Sequence, residues 1–105
     1  MTAVEAAFIT LITHLGIHSS CHMPSVIWNT PYIVNACQTE ALPMNTAQSC
    51  YNKYENLIIL PDGWNEDSHH DTVLLYHEMG RAIEVDCLKG NHSDEAAWQA
   101  ETYAP

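Results

Sequence analysis

From Asp71 to Cys87 the apolar residues Val73, Leu74, Tyr76, Ala82, Ile83 and Val85 fall at or near helical spacing, and Asp71 is placed to cap the run. An amphipathic helix of that length must bury its apolar side against another layer, so the rest of the chain is read as what covers it. Lys89-Gly90-Asn91 breaks the run, and Ser93, with Asp94 and Glu95 in the first turn, starts a short last helix from Asp94 to about Ala104. At the other end Thr2 and Glu5 fit a capping box. Val4, Ala7, Phe8, Leu11, Ile12 and Leu15 recur behind them at helical spacing, which predicts a helix from about Ala3 to Leu15 stopped at Gly16.

Between these helices the pattern changes to short runs of β-branched and aromatic residues separated by Pro24, Pro31 and Pro43. The expected strands are Ser25 to Asn29, Tyr32 to Cys37, Ala47 to Tyr51 and Asn56 to Leu60, with Gln38 to Thr46 as a loop. Tyr51 to Asn56 is placed to turn a hairpin into Leu57-Ile58-Ile59-Leu60, which Pro61-Asp62-Gly63 closes. The chain thus reads as α+β: an N-terminal helix, a small three- to four-stranded, mainly antiparallel sheet, a long helix and a C-terminal helix. At 105 residues, residues 1–105 form a single domain.

Charge narrows the partners. Lys53, Arg81 and Lys89 are the only lysines and arginines against 13 carboxylates, for a formal net charge of −10, so direct nucleic-acid binding through released counterions is not expected. An acidic surface keeps a protein soluble, or imitates nucleic acid toward a DNA-binding partner. The start lacks a basic n-region and no apolar run reaches the roughly 18 residues that span a bilayer, so a cytoplasmic protein without membrane contact is expected. Cys21, Cys37, Cys50 and Cys87 show no C-x-x-C spacing. Free buried thiols in a reducing compartment are the default reading, with two disulfides, which the even count permits, as the alternative.

The long helix carries His77-Glu78-Met79-Gly80-Arg81. In H-E-x-x-H metallopeptidases two histidines four residues apart share a helix face and bind zinc, and the glutamate acts on the bound water as general base. His77 and Glu78 stand where the first ligand and the base would be, and Arg81 stands at the second ligand position. Thr72-Val73-Leu74-Leu75-Tyr76 before the motif, and Gly80 and Ala82-Ile83-Glu84 after it, resemble the "tllHElgHAle" helix. Tyr51 to Pro61 resembles the "n-x-I-x-l" strand that precedes this helix in the ImmA/IrrE and ArdC-type antirestriction metallopeptidase families. Asp94 to Glu101 resembles the alanine-rich helix that supplies a third, glutamate ligand in gluzincins. The resemblance covers Tyr51 to Pro105, roughly half the chain, and implies a minimal zincin-like fold, a hydrolase acting on a peptide or protein substrate, and zinc.

Residue by residue, the resemblance makes Glu78 the catalytic base and His77 a metal ligand. Helical geometry favours Glu101 as the downstream ligand, since it borders the face formed by Ala96, Ala97, Ala100, Tyr103 and Ala104. Glu95 stays open as the alternative. Tyr103 is a candidate to assist an oxyanion, and His69 and His70 stand at the mouth of the expected cleft.

Arginine has no lone pair to offer zinc at ordinary pH, so three outcomes follow. His69, His70 or His92 replaces the missing ligand. Alternatively Arg81 takes the place of the metal charge, bridging Glu78 to Glu101 or Glu95 in a metal-free pseudo-site, which the need of a buried carboxylate pair for a cation favours. Or Arg81 is an inactivating change. His14, His18 and His22, every fourth residue with Cys21 beside the last, suggest a weaker second metal cluster that Gly16 interrupts. The expected function is a zincin-like domain, catalytically impaired or metal-free. The alternative is an acidic, non-catalytic interaction protein that binds and inhibits a DNA-acting or defence factor.

Overall fold

The computed structural model describes residues 1–17, 21–28, 49–89 and 94–105, with the side chains of 94 and 95 left aside. Along the chain lie α1 (Ala3–His14), β1 (Ser25–Trp28), β2 (Cys50–Asn52), β3 (Leu57–Leu60), α2 (His69–Asp86) and α3 (Asp94–Glu101). The fold is α+β. The expected strand from Tyr32 to Cys37 and the loop from Gln38 to Thr46 lie outside the described residues.

Helix α1 begins with the capping box read from its sequence. Glu5 N–H donates to Thr2 Oγ1 at 3.1 Å and Thr2 N–H donates to Glu5 Oε1 at 3.0 Å. Those bonds from Thr2 hold the Glu5 carboxyl below its usual range. Leu15 is the C-cap and Gly16 follows at φ 65°, the left-handed conformation that a glycine adopts without a Cβ clash.

Strand β3 is central, with β1 parallel on one side and β2 antiparallel on the other. Ser25 pairs with Leu57 and Trp28 with Leu60, while Cys50 pairs with Ile59 and Asn52 with Leu57. The described sheet is therefore mixed, with one parallel and one antiparallel pairing. A hairpin turn is written locally in the sequence, whereas a parallel pairing between segments so far apart is not. All four residues of β3 are buried, so both of its faces are covered. Between β2 and β3 the Asn52 side chain accepts from the N–H groups of Tyr54 and Glu55, and Asn56 takes φ 50°. Asparagine tolerates that conformation better than most residues.

Helix α2 starts at His69, two residues ahead of the expected Asp71 cap. Ser68 has the extended backbone of an N-cap and its Oγ accepts from Asp71 N–H at 3.3 Å. Asp71 sits in the first turn instead, where its carboxylate accepts from Asn65 N–H at 2.9 Å and its carbonyl from the Trp64 indole N–H at 2.6 Å. The core packs Ala7 and Leu11 of α1, Tyr51 of β2, Ile58 and Leu60 of β3, and Leu75, Tyr76, Met79, Ala82 and Ile83 of α2 with Ala100 of α3.

The crossing of α2 and α3 depends on Gly80. A Cβ there would lie 2.6 Å from Ala100 Cβ, 2.9 Å from the Ala96 carbonyl oxygen and 3.1 Å from Ala97 Cα. Only a residue without a side chain lets the helices approach so closely.

The default of free thiols is corrected in favour of the disulfide alternative. Cys21 and Cys87 form a disulfide with Cα atoms 5.0 Å apart, and Cys50 is disulfide-bonded as well, so no described cysteine is free. The cause is spatial: the C-cap of α2 ends beside the segment that leads into β1, a meeting across 66 residues that local spacing cannot announce. Among the described residues no helix is long and apolar enough to cross a membrane.

Candidate functional site

Successive residues on a helix turn by 100°, so His77 and Arg81 share one face of α2 while Glu78 is rotated toward the core. The Glu78 side chain is 1% exposed, and its charge is met within the same helix: Arg81 Nη1 donates to Glu78 Oε1 at 3.1 Å. The Arg81 side chain is itself 14% exposed. In a pair this buried each partner offsets part of the other's desolvation cost, so taking either one away is costly.

His77 meets the last turn of α3. Its Nδ1 lies 3.6 Å from Glu101 Oε1, both side chains being partly exposed. The approach follows from the packing, because Gly80 against Ala96, Ala97 and Ala100 sets the helix spacing one turn away. Glu101 pairs with His77 while Arg81 pairs with Glu78, so the two carboxylates are served by different partners rather than bridged by one guanidinium.

The remaining candidates lie elsewhere. His69 and His70 begin α2, roughly 12 and 10 Å along the helix axis from His77 at about 1.5 Å per residue. His69 Nδ1 is 3.0 Å from the Pro105 carbonyl oxygen and His70 Nδ1 is 3.3 Å from Asp71 Oδ1. The Tyr103 ring stacks on His14 of α1 with centroids 4.3 Å apart. Cys21 is tied up in its disulfide, which leaves no thiolate for a cluster with His22. His18, His92 and the side chain of Glu95 lie outside the described residues.

No family model, curated protein or solved structure matches this chain. The chemistry of the site is therefore read from its own atoms.

A histidine nitrogen and a carboxylate oxygen 3.6 Å apart are spaced as two ligands of one ion would be. A catalytic zinc needs three protein ligands, and among the described residues no third donor of the histidine, cysteine or carboxylate type lies within 4.8 Å of both. The described donor set does not fit a catalytic zinc. Glu78 Oε1 accepts a bond from the guanidinium in a nearly sealed position, so action as a base on bulk water requires the pair to open first.

A second group of donor atoms escaped the sequence reading. Cys21, Asp86 and Cys87 offer two sulfurs and a carboxylate oxygen within 4.8 Å of one another, with both sulfurs joined in the disulfide. The adjacency of Asp86 and Cys87 was visible in the sequence. The arrival of Cys21 beside them was not.

Proposed function

We propose that this chain is a zincin-like, metallopeptidase-related domain whose H-E-x-x-R helix carries a metal-free pseudo-site. The observation that supports this most directly is the meeting of His77 and Glu101 across the α2–α3 crossing at 3.6 Å, with Arg81 one helical turn beyond His77 and bonded to Glu78. In a zinc peptidase the metal supplies the positive charge of the site; here the guanidinium supplies it to Glu78 and occupies the second ligand position. Catalysis is expected to be absent from the chain as written.

Arg81→His tests the reading. With the Cys21–Cys87 disulfide intact, chain purified without chelator is expected to hold no zinc by elemental mass spectrometry, and the folded variant to hold close to one equivalent, with His77→Ala in the same background losing it. A folded Arg81→His protein that takes up no zinc sinks the proposal.

The net charge of −10 favours a second reading, an acidic non-catalytic protein that binds and inhibits a factor with a basic, DNA-handling surface. Disulfides at Cys21–Cys87 and at Cys50 persist in oxidising surroundings, which pulls the compartment away from the expected cytoplasm. A partner working in reducing cytosol fits this reading less well than one met outside it.

A further inference from the structure

The C-terminal end of α2 is held by a relay of hydrogen bonds that the site around His77 does not use. Tyr51 O–H donates to Asn56 Oδ1 at 2.7 Å, Asn56 Nδ2 donates to the His22 carbonyl at 3.4 Å, and His22 N–H donates to Asp86 Oδ2 at 3.0 Å. The relay fixes Oδ2 of the Asp86 carboxylate, and a carboxylate oxygen of Asp86 lies within 4.8 Å of the Cys21 and Cys87 sulfurs. Among the described residues no lysine or arginine lies within 4.0 Å of Asp86, and its charge is felt by the buried Tyr51 hydroxyl. Burial first and Asp86 second push that hydroxyl up to about 12. A half-buried carboxylate without a cation, oriented by a backbone N–H and adjacent to two sulfurs, is a donor set with its outer shell already built.

We propose that reduction of the Cys21–Cys87 disulfide turns this cluster into a binding site for a borderline-soft divalent cation of the zinc class. Its protein ligands are Cys21 Sγ, Cys87 Sγ and an Asp86 oxygen, and its fourth position is open to solvent. A dithiol supplies the two electrons: the S–S bond breaks, the dithiol closes to its own disulfide, and its two protons pass to Cys21 and Cys87. The cation then binds the thiolates and releases both protons to water. Sulfur ligands select zinc-like over magnesium-like ions. The Cα atoms are already 5.0 Å apart and all three donor atoms lie within 4.8 Å, so the ligands converge with small side-chain rotations. The disulfide and the metal are thus exclusive closures of one junction, selected by the redox state of the surroundings.

The test uses Co2+ as the probe on the full chain, oxidised or reduced anaerobically on an immobilised dithiol that is then removed. The reduced chain is expected to bind one equivalent, giving sulfur-to-cobalt charge transfer in the near ultraviolet and the visible bands of tetrahedral cobalt, both removed by Zn2+. The oxidised chain is expected to give neither. Cys21→Ser or Cys87→Ser should abolish the charge-transfer band, Cys50→Ser should leave it, and Asp86→Asn should weaken Co2+ binding by about tenfold or more. His77 and Glu101 contain no sulfur, so cobalt held there lacks that band and bears on the pseudo-site reading alone. A reduced chain without charge transfer, a band that survives Cys87→Ser, or a loss of fold on reduction that neither metal restores would each overturn the proposal.

Discussion

The middle and the end of α2 handle the same difficulty in opposite ways. In the middle, Glu78 is buried and its charge is met by Arg81 at 3.1 Å. Two turns later Asp86 is half-buried, held by the His22 backbone N–H, and has no described lysine or arginine within 4.0 Å. The chain has three basic side chains against 13 acidic ones. Placing one of the three beside Glu78 marks that turn as a position where structure depends on charge. The far end relies on a covalent tie, and its carboxylate remains available.

Removing the cation should break the first half of this contrast most severely. Arg81→Met takes from the buried Glu78 its guanidinium partner and is expected to lower unfolding free energy by about 3–5 kcal/mol in urea melts, with Glu78→Gln in the same background recovering part of the loss. A loss below about 1 kcal/mol, the range of exposed pairs, would mean that the pair is not the anchor of this turn. Opening the other end should cost nearly as much. With the half-cystines 66 positions apart, Cys21→Ser with Cys87→Ser is expected to cost about 4 kcal/mol by loop closure, read from the same melts.

A smaller effect is expected at the helix crossing that links the two sites. Gly80→Ala puts a methyl within 2.9 Å of the Ala96 carbonyl and should cost about 1–3 kcal/mol while moving His77 and Glu101 apart. A variant as stable as the parent would show that α3 retreats without penalty. The smallest effect is a titration. Folded Tyr51 keeps its proton to about 12, whereas an unfolded tyrosine loses it near 10. The native state therefore binds the extra proton in that window, and stability falls as pH rises from about 10 to about 12. Tyr51→Phe should remove that fall. Asp86→Asn should bring the Tyr51 hydroxyl, followed by ultraviolet absorbance, only part of the way down, because burial is the larger cause.

The sequence was most readable where the controlling interaction is local. Thr2 and Glu5 announce the start of α1 because both capping bonds join residues three apart, whereas of the apolar positions read for α2 only Tyr76, Ala82 and Ile83 are buried, joined by Leu75 and Met79, which that reading passed over. The start of α2 was misplaced because Asp71 and Ser68 are both competent caps, and the choice turns on the loop that brings Asn65 and Trp64 to Asp71. Helical angle alone put Glu101 on the border of the packing face of α3, where it meets His77. The disulfide, the parallel pairing of β1 with β3 and the link from Tyr51 to Asp86 join segments far apart in the chain, and no local pattern encodes them.

The strand order also sets a timetable. β3 sits between its two partners yet is the last of the three to be synthesised, so β1 has no backbone partner among the described strands until more than half the chain exists. The β2–β3 hairpin can close early across its short turn, while docking of β1 must wait for a long loop to close. Until then no described strand pairs the amide and carbonyl groups of β1, and the nascent chain is most prone to wrong pairing in that interval.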